Sequence, residues 1–492
     1  MSSTADKPTN VRYGVLTFAC VLSMITYLDR VSFGTVATNI QSEFGLSESE
    51  KGWLFTAFAF AYAVFEVPSG WLGDKYGART TLIRIVLWWS VFTALTGSIY
   101  PSLFGSAAFA VMLGVRFLFG VGEAGAYPNI ARAFHSWFPF EERGFAKGAV
   151  WMAGRFAGGI TAFVVFAMMY ETTTSDGGTY THWRHTFYVF GALGIVWCIA
   201  WWWWYRDEPA DKPGVNAAEI ALIQGRLHTA AAIREGEPPV TPRSGKLRVP
   251  WGKLLTSVNL WLLCLMYFCS AYGWYINITY FPGYLKNELG IEQGTDMTSS
   301  AFWIGGLMKG LPLLVGSLSC LLGGALTDMF IRRTGNRKWG RRLFGIIGHG
   351  LCAACYFVAI YFMRSPWAFV LLIAFAAFWN DLTMGSSWAS CLDIGKRYSG
   401  IVAGCMNTVG NLGGALAGIL TGKILEWHTG PVPHATTNAI CGFAEQVAYD
   451  SAKDTGWVVN IALFGSAYVL SVVCWLFFDA TKPVAPEAGD EH

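Results

Sequence analysis

Twelve apolar runs, each long enough to cross a lipid bilayer, constrain this chain more than any motif in it. A membrane-spanning helix needs about 20 predominantly apolar residues. Runs of that kind lie near 12–34, 52–72, 81–99, 106–134, 145–170 and 184–205, and again near 256–284, 300–327, 342–363, 366–392, 398–422 and 456–478. A polar stretch from Arg206 to Lys253, rich in Pro, Ala and charge, separates the two sets. The pattern predicts an all-α membrane protein of twelve helices in two six-helix bundles. The expected divisions are a tail at 1–11, bundles at 12–205 and 256–480, a linker at 206–255 and a second tail at 481–492.

Composition agrees. Only 14% of the residues are charged and 53% are hydrophobic, whereas soluble domains carry about 25% charged residues. The 56 glycines suit close helix contacts and the 23 tryptophans suit interfacial belts. Nearly all of the 11 cysteines fall in apolar segments, where cysteine acts as a small hydrophobe. Cys352 and Cys355 form a CxxC with no second pair and no nearby histidine cluster, and zinc needs four convergent ligands. No metal, cofactor or disulfide framework is expected. The first apolar run is too long for a signal-peptide core and is expected to remain as the first membrane helix. If both termini face the cytoplasm, roughly 25 of the 35 Lys and Arg residues do too, and about six face outward. The cluster Arg332, Arg333, Arg337, Lys338, Arg341 and Arg342 weighs most in that orientation.

Five ionisable residues stand inside these runs: Asp29, Arg30, Arg116, Glu123 and Arg155. Each costs roughly 2.5–3.5 kcal/mol at a bilayer centre, so intramembrane charge implies a functional pathway. Two acids against three cations suggests a neutralising network with one spare positive charge, suited to an anionic solute. Arg116 and Glu123 are two helical turns apart and share one face, with about 10.5 Å of rise between them. Asp29 and Arg116 lie at comparable depth, so an Asp29–Arg116 pair is expected, with Glu123 deeper. Burial and a nearby cation push a carboxylate's proton affinity in opposite directions, so moving an arginine would couple protonation to substrate.

The halves echo each other. Gly70-Trp-Leu-Gly-Asp74-Lys75-Tyr-Gly77-Ala-Arg79 follows the second run, and Gly324-Ala-Leu-Thr-Asp328 follows the eighth. Gly148, Gly154 and Gly158 recur as Gly404, Gly410 and Gly414. Parallel repeats of this kind build the two halves of a transporter.

With these motifs the chain resembles the major facilitator superfamily over essentially its whole length. Tyr27-Leu-Asp-Arg30, Ile40-Gln-Ser-Glu-Phe-Gly45, Gly114-Val-Arg116, Gly122-Glu-Ala124 and Ser136-Trp-Phe-Pro139 with Glu142-Arg143 resemble its anion:cation symporter family. Trp388, Asn407 and Gly413-Gly414 add to the match. That family includes bacterial hexuronate, glucarate and galactonate carriers. The resemblance implies proton-coupled uptake of sugar acids or similar organic anions by alternating access. It implies Asp29 and Glu123 as proton-carrying acids, with Arg30 and Arg116 linking them to the substrate. It also implies Tyr27, Arg30, Tyr62, Trp388 and Asn407 around the pocket, and Gly70, Asp74, Lys75, Gly77, Arg79 and Asp328 as a cytoplasmic gate. Arg155 stands where the galactonate carrier has glutamine, and Asp381 where that relative lacks an acid.

The residues support readings of their own. The Arg155 guanidinium matches a carboxylate bidentately. Asp381 could hydrogen-bond substrate hydroxyls, titrate, or pair with Arg155. Tyr62 and Trp388 could be packing aromatics, although an indole offers a flat face to a sugar ring, and Asn407 can both donate and accept. Lys309 is expected to snorkel. Asp74, Lys75 and Arg79 are expected to latch the halves rather than touch substrate. Histidines lie mostly at helix ends, leaving no histidine relay. Anion exchange or sodium coupling could use the same charges, whereas no triad, zinc motif or soluble domain points to an enzyme. The expected partners are an organic anion, protons and the bilayer of a bacterial inner membrane, with no nucleic acid, around a monomeric carrier.

Overall fold

In hydrocarbon every backbone polar group must be satisfied within its own segment, which leaves helices as the answer to runs of this length. The computed structural model describes residues 7–139, 142–173, 179–223, 251–395, 398–430 and 443–484. The N-terminal half contains α1 (Arg12–Phe44), α2 (Glu48–Tyr76), α3 (Ala78–Gly97), α4 (Ala108–Glu123, resumed as Ala126–Trp137), α5 (Arg143–Met168) and α6 (Arg184–Trp204). The C-terminal half contains α7 (Val258–Trp274, resumed as Phe281–Asn287), α8 (Ser300–Thr334), α9 (Arg337–Tyr361), α10 (Pro366–Leu382, resumed as Met384–Gly395), α11 (Ser399–Thr429) and α12 (Phe443–Phe477). A short antiparallel ribbon, β1 (Glu171–Thr173) with β2 (Thr179–Thr181), joins α5 to α6 without disturbing the helical architecture.

Local chemistry sets the joints. At the α1–α2 corner Gly45 adopts φ +64°, and Ser47 and Glu50 form a reciprocal capping box at the start of α2. The α7 break between its two segments bends the axis by 43°. Such irregular backbone is tolerated at membrane depth where protein covers it.

Packing repeats between the halves. α1 lies on α5, α2 on α4 and α3 on α6; likewise α7 lies on α11, α8 on α10 and α9 on α12. The two halves meet through α2 against α11 and α5 against α8, which are repeat images of one another. Both contacts are closest away from the termini. A Cβ on Gly310 would come within 1.8 Å of the Gly159 carbonyl oxygen, so backbone meets backbone there. Thr56 donates to the Ala415 carbonyl at 2.8 Å, and a Cβ on Gly52 would come within 2.6 Å of the Gly418 carbonyl oxygen. α2 and α11 are the two long helices too polar to stand out as membrane spans by apolarity alone, and they are packed on each other.

Candidate functional site

The charged residues converge where the two halves meet. Arg30 on α1 donates through Nε to Glu123 Oε1 at 2.7 Å, with both side chains buried. Its guanidinium lies 4.7 Å from the Tyr62 ring centre and 5.4 Å from that of Phe58. The expected Asp29–Arg116 pair does not form. Both Asp29 carboxyl oxygens lack a hydrogen-bond donor, and Arg116 sits 4.0 Å over Phe33 and 4.9 Å from Phe119. Arg116 is held by the π-faces of an aromatic cage, an environment that suits a weakly hydrated guanidinium. Glu123 instead takes Arg30 as its partner, because the break in α4 at 124–125 ends its helix against α1.

The second convergence spans the halves. Arg155 on α5 donates through Nη2 to Asp381 Oδ1 at 3.0 Å, and its Nε lies 3.0 Å from Oδ2. Asp381 is fully buried and also accepts from Asn380 Nδ2 at 2.9 Å. Space for its carboxylate comes from Gly316 on α8, where a Cβ would lie 2.5 Å from Oδ2. The Arg155 guanidinium carbon lies 3.8 Å from the Trp274 ring centre and 5.6 Å from that of Tyr27, so an aromatic from each half borders it. Of the three roles open to Asp381, pairing with Arg155 is the one seen in the structure.

A third link was missed in the sequence. Glu66 lies in the second apolar run, 5% exposed, and its Oε1 accepts a hydrogen bond from Asn407 Nδ2 on α11. Its Oε2 accepts from Asn411 Nδ2 at 3.4 Å, and Tyr275 OH donates to Asn411 Oδ1 at 3.1 Å. The signal was available: one acid inside an apolar run, one turn beyond Tyr62. Counting Glu66 and Asp381 overturns the spare positive charge. The centre holds four acids (Asp29, Glu66, Glu123, Asp381) and three arginines (Arg30, Arg116, Arg155).

Toward the terminal end an aromatic layer follows. Tyr127 stacks on Trp151 at 4.6 Å, and Trp151 and Tyr267 lie 6.0 and 6.2 Å from Trp388. Trp388 thus faces a tryptophan of the opposite half.

Other expectations change. Lys309 does not snorkel: it is 5% exposed and lies 4.2 Å over Phe166. His349 sits mid-helix in α9, buried, bonded to Thr383 Oγ1 at 3.0 Å and Ser471 Oγ at 2.6 Å. In the gate motif, the Arg79 guanidinium donates to the Trp202 carbonyl and its backbone N–H to Asp207 Oδ1, so these contacts run to α6 and the linker start rather than to the C-terminal half. Gly77 has φ +82°, and a Cβ there would approach Asp207 Oδ2 to 2.7 Å. Lys75 lies 5.1 Å from Trp71 and Gly70 faces Pro128. The side chains of Asp74 and Asp328 lie outside the described residues.

The profile of the Major Facilitator Superfamily matches residues 19–418. The chain is 32% identical, over 88% of its length and 91% of the relative's, to the "Probable sulfoacetate transporter SauU" of Cupriavidus necator. It is 28% identical to the "Probable galactarate/D-glucarate transporter GudP" of Escherichia coli K12, covering 86% of this chain and 89% of that one. The D-galactonate transporter of E. coli O6:H1 is also 28% identical, over 95% and 97% of the two chains. Among solved structures, a bacterial homologue of the human lysosomal transporter Spinster, in an inward-facing conformation, superposes with TM-score 0.70 at 18% identity, covering 96% of this chain and 98% of that one. A D-xylose-proton symporter superposes with TM-score 0.63 at 15% identity, over 95% and 98%. These two likenesses concern the fold. The chain belongs to the Major Facilitator Superfamily, and is a multi-pass membrane transporter of the organic-anion type rather than an enzyme.

Proposed function

We propose that the carrier moves a sugar acid (a hexuronate, aldonate or aldarate) inward with protons, by alternating access, and that its termini lie on the cytoplasmic side. The observation that carries this reading is the Arg155–Asp381 pair across the two halves. A guanidinium holds a carboxylate there, with the rings of Trp274 and Tyr27 beside the guanidinium. A substrate carboxylate has the same shape and charge as the Asp381 side chain and can replace it. Arg155 Nη1 and Arg30 Nη2 are buried donors without an acceptor among the described residues, and they offer further contacts to a substrate.

With four acids and three arginines at the centre, an added anion enters a site that already has an excess of carboxyl groups. Protons taken up by those carboxyls remove the repulsion, so the charge inventory favours symport with protons over uptake of the anion alone. Asp29, Glu66, Glu123 and Asp381 are the groups able to accept them. Tyr62, Trp388 and Asn407 then supply ring faces and an amide for a polyhydroxylated chain.

A second reading is a compact sulfonated carboxylate, favoured by the 32% identity to a relative named for sulfoacetate. Counterflow in proteoliposomes across aldonates, uronates, aldarates and sulfoacetate separates the two. Exchange of a sugar acid driven further by an inward proton gradient is the expected result. Exchange of sulfoacetate alone selects the second reading, and accumulation unaffected by proton or charge gradients excludes both as symport.

A further inference from the structure

Glu66 differs from the other central acids in its partners. Asp381 faces Arg155 and Glu123 faces Arg30, but Glu66 is gripped by two neutral amides, Asn407 and Asn411, both on the opposite half. The nearby cation is Arg30, and its Nε is already committed to Glu123. Two carboxyls therefore share one guanidinium. The other titratable groups facing Glu66 are Tyr62 on its own helix and Tyr267 and Tyr275 on α7, all electrically neutral as phenols. Glu66 lies on the terminal side of the close α2–α11 contacts, where Gly52 meets the Gly418 carbonyl and Thr56 bonds that of Ala415, so its bonds tie the part of the interface that those contacts leave free.

We propose that Glu66 is a proton-binding site of this carrier, distinct from the Arg30–Glu123 pair, and that its protonation state sets the hold between α2 and α11. The ionised carboxylate accepts from both amides in charge-assisted hydrogen bonds, which are roughly twice as strong as neutral ones. When a proton from solution bonds to one carboxyl oxygen, that oxygen becomes a hydroxyl donor and the negative charge is lost. One amide then faces a hydroxyl oxygen, a weaker acceptor than a carboxylate oxygen, and the other keeps only a neutral bond. The terminal end of α2–α11 loosens. When the proton leaves to solution, both charge-assisted bonds return and the halves draw together there. In a carrier with cytoplasmic termini, proton release inside would thus reset the inner side toward closure, and Asn407 and Asn411 would be free for substrate while Glu66 is protonated.

The inference rests on the reading of the chain as a proton-coupled carrier, and a ligand-free experiment separates the two. Full-length protein in lipid vesicles without any substrate is followed by hydrogen–deuterium exchange at a series of pH values, corrected for intrinsic exchange. Wild-type segments 399–411 and 62–76 are expected to exchange several-fold faster at low pH than at high pH. Glu66→Gln, neutral and similar in shape, is expected to exchange at the fast rate at every pH. Asn407→Ala, which retains the acid but removes a grip, should raise exchange at high pH. Infrared difference spectra of the same vesicles should show a titrating carboxylic-acid band that Glu66→Gln deletes and Glu123→Gln leaves in place. An exchange profile in Glu66→Gln that still follows wild-type pH dependence, or an undiminished band, overturns the proposal. A lost band together with no proton-driven transport of D-glucarate, D-galactonate or sulfoacetate leaves Glu66 as a proton site and overturns the symport reading instead.

Discussion

The two halves of this carrier share a packing plan but not a chemistry. The N-terminal half brings six ionisable groups to the centre: Asp29, Arg30, Glu66, Arg116, Glu123 and Arg155. The C-terminal half brings one, Asp381, and otherwise offers amides and rings: Asn407, Asn411, Tyr267, Trp274, Tyr275 and Trp388. The cross-half contacts Arg155 with Asp381 and Glu66 with Asn407 and Asn411 each start from a charged group of the first half. The asymmetry suggests a division of labour. On the proposed reading, charge and with it proton coupling would reside mainly in one bundle, while the shape and hydroxyl pattern of a sugar acid would be read mainly by the other.

The sharpest attack on that division is Arg155→Gln. It removes the guanidinium and leaves Asp381 buried without its cation, and breaking one side of a buried pair costs about 3–5 kcal/mol. Apparent affinity for the transported anion should fall by about 100-fold or more in a radiolabelled uptake assay. Arg155→Lys should recover only part, because an ammonium lacks the fork. Unchanged uptake kinetics would remove Arg155 from the site. Next in size is Glu123→Gln, expected to retain counterflow while losing accumulation driven by a pH gradient by about 10-fold or more, within the usual range of coupling energies. If accumulation persists, proton coupling does not depend on the Arg30–Glu123 pair, and Glu66 and then Asp381 become the next candidates.

Smaller effects test the other side. Asp381→Asn keeps the shape and an acceptor oxygen for Arg155, so transport should persist with a few-fold change in preference among stereoisomers. A changed proton-to-substrate ratio instead would show that the C-terminal half also carries charge work. The smallest effect lies outside the membrane, where Lys338 Nζ meets Asp479 Oδ2 at 2.7 Å. Burial raises the Asp479 proton affinity, but Lys338 and Thr481 outweigh it and bring the pKa down to about 2 from 3.8. A carboxyl whose folded-state pKa is depressed stabilises the fold above its unfolded value and loses that contribution as pH falls toward 2. Lys338→Met should therefore lower Tm at pH 7 by no more than about 2 °C, with the difference from wild type shrinking below pH 4.

How much of this was legible beforehand divides along physical lines. The twelve spans and their doubling were readable because bilayer thickness and repeat spacing leave their mark in one dimension. The charged residues were readable because each stands out against apolar neighbours. Their pairing was not, since which guanidinium meets which carboxylate depends on helix rotation: Arg30 rather than Arg116 faces Glu123, and Asp29 faces neither arginine within bonding distance. Glu66 went unnoticed although it is the single charged residue of the run 52–72, just ahead of the charged motif at Asp74 and Lys75. Lys309 was misjudged for a related reason: distance from a helix end does not reveal which face a neighbour covers.

The partnership of α2 and α11 has a consequence for biogenesis. Each carries polar groups that find their partners in the other: Glu66 in Asn407 and Asn411, and Thr56 in the Ala415 carbonyl. More than 340 residues separate Glu66 from these partners in sequence. A ribosome delivering the chain to the membrane releases α2 long before α11 exists, so the earlier helix must wait with a costly acid unsatisfied. Completion of the transport site is then a late step of assembly, and the conservative exchange Glu66→Gln would ease the wait while removing the group that gives the finished contact its charge.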